Sequence, residues 1–151
     1  MNEVILMAHV LSGVGCLVAA IWLFVDVLNA HEGNLARIRR MSWAAAALMW
    51  TAFVVGGWWY ITLYKADKDL ILKGPWPFAH NFFMETKEHL VFMLLLLVTY
   101  LPVIAANNLA ASHGARKVAL WVIGMIAILA LAMDGEGAII AMGVKVALLP
   151  R

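Results

Sequence analysis

Apolar residues in this chain do not alternate with polar ones; they run in long blocks, at 4–28, 41–64, 88–106 and 117–136. Each block matches the roughly 20 residues that an α-helix needs to cross a bilayer. The first two are joined by a short loop bearing Arg37, Arg39 and Arg40, and the last two by a short loop bearing His113, Arg116 and Lys117. Short connections make antiparallel hairpins, so the pattern predicts an all-α integral membrane protein, an up-down four-helix bundle forming one domain over 1–151. A longer polar segment, 65–87, links the two hairpins. The tail 137–151 is apolar apart from Lys145 and its last residues, and it reads as an interfacial stretch or an extension of the fourth helix. A single helix over 117–149 would be about 50 Å long, too long for a hydrocarbon core of about 30 Å. Gly135, Gly137 and Gly143 offer a break, so the crossing is expected to end near Glu136. Pro102 is expected to kink the third span.

Composition supports the membrane assignment: 65% of residues are hydrophobic, 13% are charged, and the mean hydropathy is +0.89. A net charge of +2, with basic residues flanking apolar blocks, is explained by headgroups and topology and implies no nucleic-acid partner. The single cysteine, Cys16, excludes an intrachain disulfide. The first block has no basic leader and is too long for a signal-peptide core, so it reads as a retained span. Lys and Arg divide five to the short loops and six to the other side, a near draw. The Arg cluster after the first span decides the orientation, with both termini and segment 65–87 outside a bacterial inner membrane. Trp58, Trp59, Tyr60 and Tyr64 mark that interface, with Trp76 and Phe78 beside it; Trp43 and Trp121 mark the opposite one. Ala44 to Ala47 reads as a close-packing patch.

The chemistry lies in the ionisable residues that intrude on the spans. An ionised group in hydrocarbon costs roughly 2.5–3.5 kcal/mol or more, so such groups pair, bind something or sit in water. His9, Glu88, His89, Asp134 and Glu136 fall near one membrane face. Glu85, Glu88, His89 and Phe92 share a helical face by their spacing. Asp134 and Glu136 stand about 200° apart on an ideal helix, so both turn inward only if Gly135 breaks it. His9, Ser12, Gly13, Cys16 and Ala20 form a stripe whose members after the histidine are small, suited to close helix packing or to a flat cofactor. His31 and His113 read as solvated loop residues, and His80, after Gly74-Pro75-Trp76-Pro77, as part of an interfacial aromatic lid. Asp26 is expected to snorkel or to pair with an arginine of the 37–40 cluster.

Histidines on two helices at equal depth suit the two axial positions of a haem iron. With four spans and His9 and His89 so placed, the chain resembles small membrane cytochromes of the b type. That resemblance implies a b-type haem held by His9 and His89, exchanging electrons with quinone or an external carrier such as a cytochrome. The acids point elsewhere, because His9, Glu85, Glu88, His89, Asp134 and Glu136 would suit a non-haem iron, copper, zinc or manganese ion. A third reading is an accessory structural subunit of a respiratory-type membrane complex. No nucleotide loop, nucleophile elbow or HExxH run is present, so the chain does not declare itself an enzyme. A transporter would need a midplane site or inverted repeat that is not seen in the sequence.

Overall fold

The computed structural model describes residues 2–149. Its helices are α1 (Asn2–Leu28), α2 (Leu35–Thr62), α3 (Tyr64–Lys73), a π-helical turn (Ala79–Met84), α4 (Glu85–Ala105) and α5 (His113–Ala147). Among the described residues no strand forms, and four helices are long and apolar enough to cross a membrane. They pack in a ring, α1 against α2, α2 against α4, α4 against α5 and α5 against α1, which leaves α1 and α4 at diagonal corners. The protein is thus an all-α, four-span helical bundle of membrane type.

Small side chains set the close helix packing. Cys16, Ala20 and Ala45 are fully buried among Leu23, Val98, Ile123 and Ile126. On the α1 stripe Cys16 and Ala20 are therefore packed by neighbours, while Ser12 and Gly13, nearer His9, are half-buried. The 44–47 patch contributes Ala45 and Ala46 to the same core.

The end carrying the two short loops is tied down by arginines. Arg37 holds Asp26 through two bonds, Nε to Oδ2 at 2.8 Å and Nη2 to Oδ1 at 2.7 Å, which realises the expected pairing. Arg39 donates to the carbonyls of Ala105 and Ala106 at 3.2 and 3.3 Å, and Arg116 donates to that of Leu28. These are the last carbonyls of α4 and α1, which lack partners within their own helices and carry the negative end of the helix dipole. Buried Asn34 organises the first loop, accepting from the His31 amide at 2.9 Å and donating to the Asp26 carbonyl at 3.1 Å. Ser112 caps α5 by accepting from the Ala115 amide.

The other end departs from the sequence reading in three places. Segment 65–87 is largely helical: α3 buries Tyr64 and Ile71 against α5, and the π-helical turn carries the chain directly into α4. The apolar helix that includes α4 accordingly begins at Ala79, not at 88, and runs past Pro102 to Ala105. Most importantly, α5 does not break near Glu136. It continues for 35 residues, and no described glycine adopts a positive φ. The glycines serve close approach: a Cβ on Gly143 would stand 2.8 Å from the Ala79 Cβ, and one on Gly74 would stand 2.8 Å from the Ala147 Cβ. The excess length that argued for a break is taken up by packing on α3 and the π-helical turn. Arg151 lies outside the described residues.

Candidate functional site

Polar side chains gather at the α3 end of the bundle, and glycines decide where each one fits. His9 on α1 donates from Nδ1 to the Ala52 carbonyl of α2 at 2.8 Å, since a carbonyl can only accept. Its ring lies over Gly56, where any Cβ would run into the imidazole. Asp134 on α5 rests against α1 at Gly13, whose Cβ would meet Oδ1 at 3.3 Å. Lys87 on α4 reaches across α5, donating from Nζ to the Met133 carbonyl at 3.1 Å, and a Cβ on Gly137 would stand 2.9 Å from that nitrogen. Three helices thus seat a charged or polar group on a glycine of a neighbour.

Asp134 and Glu136 both enter the bundle although the helix between them is unbroken. The 200° separation holds, but α5 has neighbours on two sides, α1 on one and α4 with the π-helical turn on the other. Asp134 faces α1, while buried Glu136 lies on the Met133, Glu136, Ile140, Gly143 stripe that meets the π-helical turn and α3. Lys87 lies within electrostatic reach of both acids, and His9 within reach of Asp134 and Lys87. Among the described residues, three buried carboxylate oxygens have no hydrogen-bond partner: Glu88 Oε1, Asp134 Oδ2 and Glu136 Oε2.

A second polar group adjoins the first. Tyr64 and His80 are almost wholly buried, and the phenol hydroxyl lies 3.0 Å from His80 Nδ1. Burial, with the nearby Tyr60, Asp67, Glu88 and Glu85 acting in the same sense, pushes the Tyr64 phenol above its ordinary pKa. It therefore stays protonated and donates, which leaves the His80 proton on Nε2, 3.7 Å from Glu85 Oε1. Tyr60 stacks on Tyr64 with centroids 5.2 Å apart, and its hydroxyl neighbours the Glu88 carboxylate. On α3, burial raises the pKa of Asp67. His80 is thus a core residue, not part of a surface lid.

The residues singled out from the sequence are only partly brought together. His9, Asp134 and Glu136 join one cluster, and Glu88 stands beside Tyr60 at its edge. His89 does not join. It is exposed on α4, its Nδ1 donating to the Glu85 carbonyl of its own helix at 2.6 Å, while Lys87 two positions earlier takes the interior. Glu85 is exposed as well. A haem with both axial ligands would need His9 and His89 to face one iron. With His89 outward and Lys87 inward, these residues do not fit that group. The six-residue metal set does not converge either: among the described residues no group of three or more His, Cys, Asp or Glu is placed to hold a metal ion. His31 is exposed and accepts from the Gly33 amide at 3.2 Å, and His113 is exposed at the start of α5.

Lys87, which the sequence places at the end of the polar segment 65–87, is the residue of this cluster that sequence reading missed. A signal for it existed in Gly137, a small residue at the right depth on the facing helix. No family model, curated protein or solved structure matches this chain.

Proposed function

We propose that this protein is a membrane-embedded proton-binding subunit, in which His9, Lys87, Asp134 and Glu136 take up and release protons at the α3 end of the bundle. One observation carries the reading: among the described residues one buried oxygen on each of Glu88, Asp134 and Glu136 lacks a hydrogen-bond partner, and the Lys87 ammonium lies near Asp134 and Glu136. An ionised carboxylate stripped of donors in a low-dielectric site is costly, whereas a carboxylic acid carries its own O–H and needs fewer partners. Lys87 balances one negative charge. Protons are the simplest means of balancing the others, and His9, with its Nδ1 occupied, offers Nε2 as a further proton acceptor.

Exchange is one-sided. From Cys16 to Leu109 the interior is an apolar core, and the polar residues at the far end are ion-paired or bonded to backbone carbonyls. The Glu85–His80–Tyr64 and Tyr60–Glu88 groups lie between the cluster and the α3 surface, so protons enter there. A site that loads and unloads through one face does not conduct by itself. It suits a subunit that serves a partner complex in a bacterial inner membrane, with the termini and α3 on the outer side, as the arginines of the short loops favour.

Infrared spectra of the protein in lipid test the reading. At neutral pH a protonated carboxylic C=O band is expected, shifting in D2O and weakening in both Asp134→Asn and Glu136→Gln. Lys87→Met, which removes the counter-charge, is expected to strengthen it. A wild-type spectrum without a carboxylic band at neutral pH would sink the proposal.

A further inference from the structure

The pairing of His80 with Glu85 is a product of the π-helical turn. On an ideal α-helix residues five apart stand about 140° from each other and do not meet. Here the Glu85 amide donates to the His80 carbonyl, an i→i+5 bond that brings the two side chains to one side of the chain. The imidazole consequently has a neighbour at each nitrogen: the Tyr64 hydroxyl lies 3.0 Å from Nδ1, and Glu85 Oε1 lies 3.7 Å from Nε2. The His80 side chain is 4% exposed and that of Glu85 51%, so one ring spans from the core to the surface. Next to Tyr64, Tyr60 stacks on it and brings its hydroxyl beside Glu88, whose Oε1 is buried without a hydrogen-bond partner among the described residues. Lys68 of α3 is a further charged group near the ring.

We propose that His80 is the relay through which the buried acids exchange protons with the surface, linking exposed Glu85 to Tyr64 and, by way of Tyr60, to Glu88. The proposal rests on the proton-binding reading and names the residue that governs exchange at that same site. On release, Glu88 as the acid gives its proton to the Tyr60 oxygen, Tyr60 gives its own to the Tyr64 oxygen, the Tyr64 proton moves to Nδ1, and the Nε2 proton moves to the Glu85 carboxylate. Every group between the two acids loses one proton and gains one, so none is left charged in a low-dielectric site, and His80 only changes tautomer. Uptake runs the same steps backwards. Imidazole suits the task because its two nitrogens can exchange the roles of donor and acceptor.

The test follows the time course of the carboxylic band's shift in D2O, by rapid-mixing infrared spectroscopy of the full chain in lipid. His80→Gln keeps an acceptor for the Tyr64 hydroxyl but has no second ring nitrogen to pass a proton on. The band is expected to keep its wild-type intensity while its exchange slows about a hundredfold, the lower end of what a positioned proton-transfer group contributes. Glu85→Gln alters only the exposed end and is expected to slow exchange as well; it carries the test if His80→Gln does not fold. His113→Gln, at the opposite end of the bundle, is expected to leave the rate unchanged. A merely structural His80 would act the other way, because loosened packing admits water and speeds exchange. Exchange at the wild-type rate or faster in either variant, with the band intact, would overturn the relay and leave the proton-binding reading standing. A wild-type protein without the band would remove that reading itself, and the relay with it.

Discussion

At the scale of single residues, the absence of a side chain matters as much as its presence. His9, Asp134 and Lys87 are polar groups within a bundle core, and each occupies space that a neighbouring glycine leaves open: Gly56, Gly13 and Gly137. Gly56 is the sharpest case because a methyl there meets a rigid ring instead of the flexible end of a lysine. Gly56→Ala is expected to push the His9 ring off its 2.8 Å bond to Ala52 and to separate α1 from α2. Overpacking of this kind destabilises by about 1–3 kcal/mol. Reversible unfolding in mixed micelles checks this, and a variant as stable as the parent would show that His9 is not held on that seat. The sequence showed which residues were costly in a membrane, but a one-dimensional pattern cannot show which of two flanking helices a side chain meets. That is why the sequence pairs His89 with His9 and places Lys87 in a polar loop.

At the scale of elements, α5 carries the main lesson. Its 35 residues exceed a hydrocarbon core, and three glycines near the exit made a break the natural reading. The helix persists because its excess length finds partners: Ile140 joins Tyr64, Ile71, Ala79 and Met84 in a second apolar cluster beyond the main core. Continuity has a consequence at Gly135, which has nothing within 4 Å of where a Cβ would stand. In an unbroken helix Gly135→Ala should stabilise by about 0.5–1 kcal/mol, the usual backbone advantage of alanine. A broken helix would instead be damaged by the same change. Thermal melts of the two proteins in one lipid distinguish the cases, and destabilisation would contradict the continuous helix. The polar segment 65–87 hid α3 for a related reason: ten residues with two buried positions give too little periodic signal to stand out.

At the scale of the whole molecule, the two ends of the bundle do different work. At the short-loop end, arginines cap the final carbonyls of α1 and α4 and close on Asp26, so the basic residues that bear on topology also hold the loops in place. At the α3 end, one buried oxygen on each of Glu88, Asp134 and Glu136 has no hydrogen-bond partner among the described residues. Proton exchange at the outer face requires α3 to be outside. In a Cys16→Ser background, a membrane-impermeant maleimide applied to intact cells is expected to label Asp69→Cys in α3 and to spare Glu32→Cys in the first loop. The opposite labelling pattern would reverse the orientation and place proton exchange on the cytoplasmic side.

The sequence by itself determined the four spans and the antiparallel order, and it narrowed Asp26 to snorkelling or pairing with the arginine cluster. Block length, hydropathy and loop length are properties of the chain alone, and the bilayer turns them directly into architecture. Tertiary structure decided the rest: which acids turn inward, that Lys87 and not His89 faces them, and that Tyr64 and His80 are core partners. Those outcomes depend on how each helix is rotated against two neighbours. That rotation is set by packing of small residues such as Gly13, Gly56 and Gly137 on facing helices, far apart in the chain.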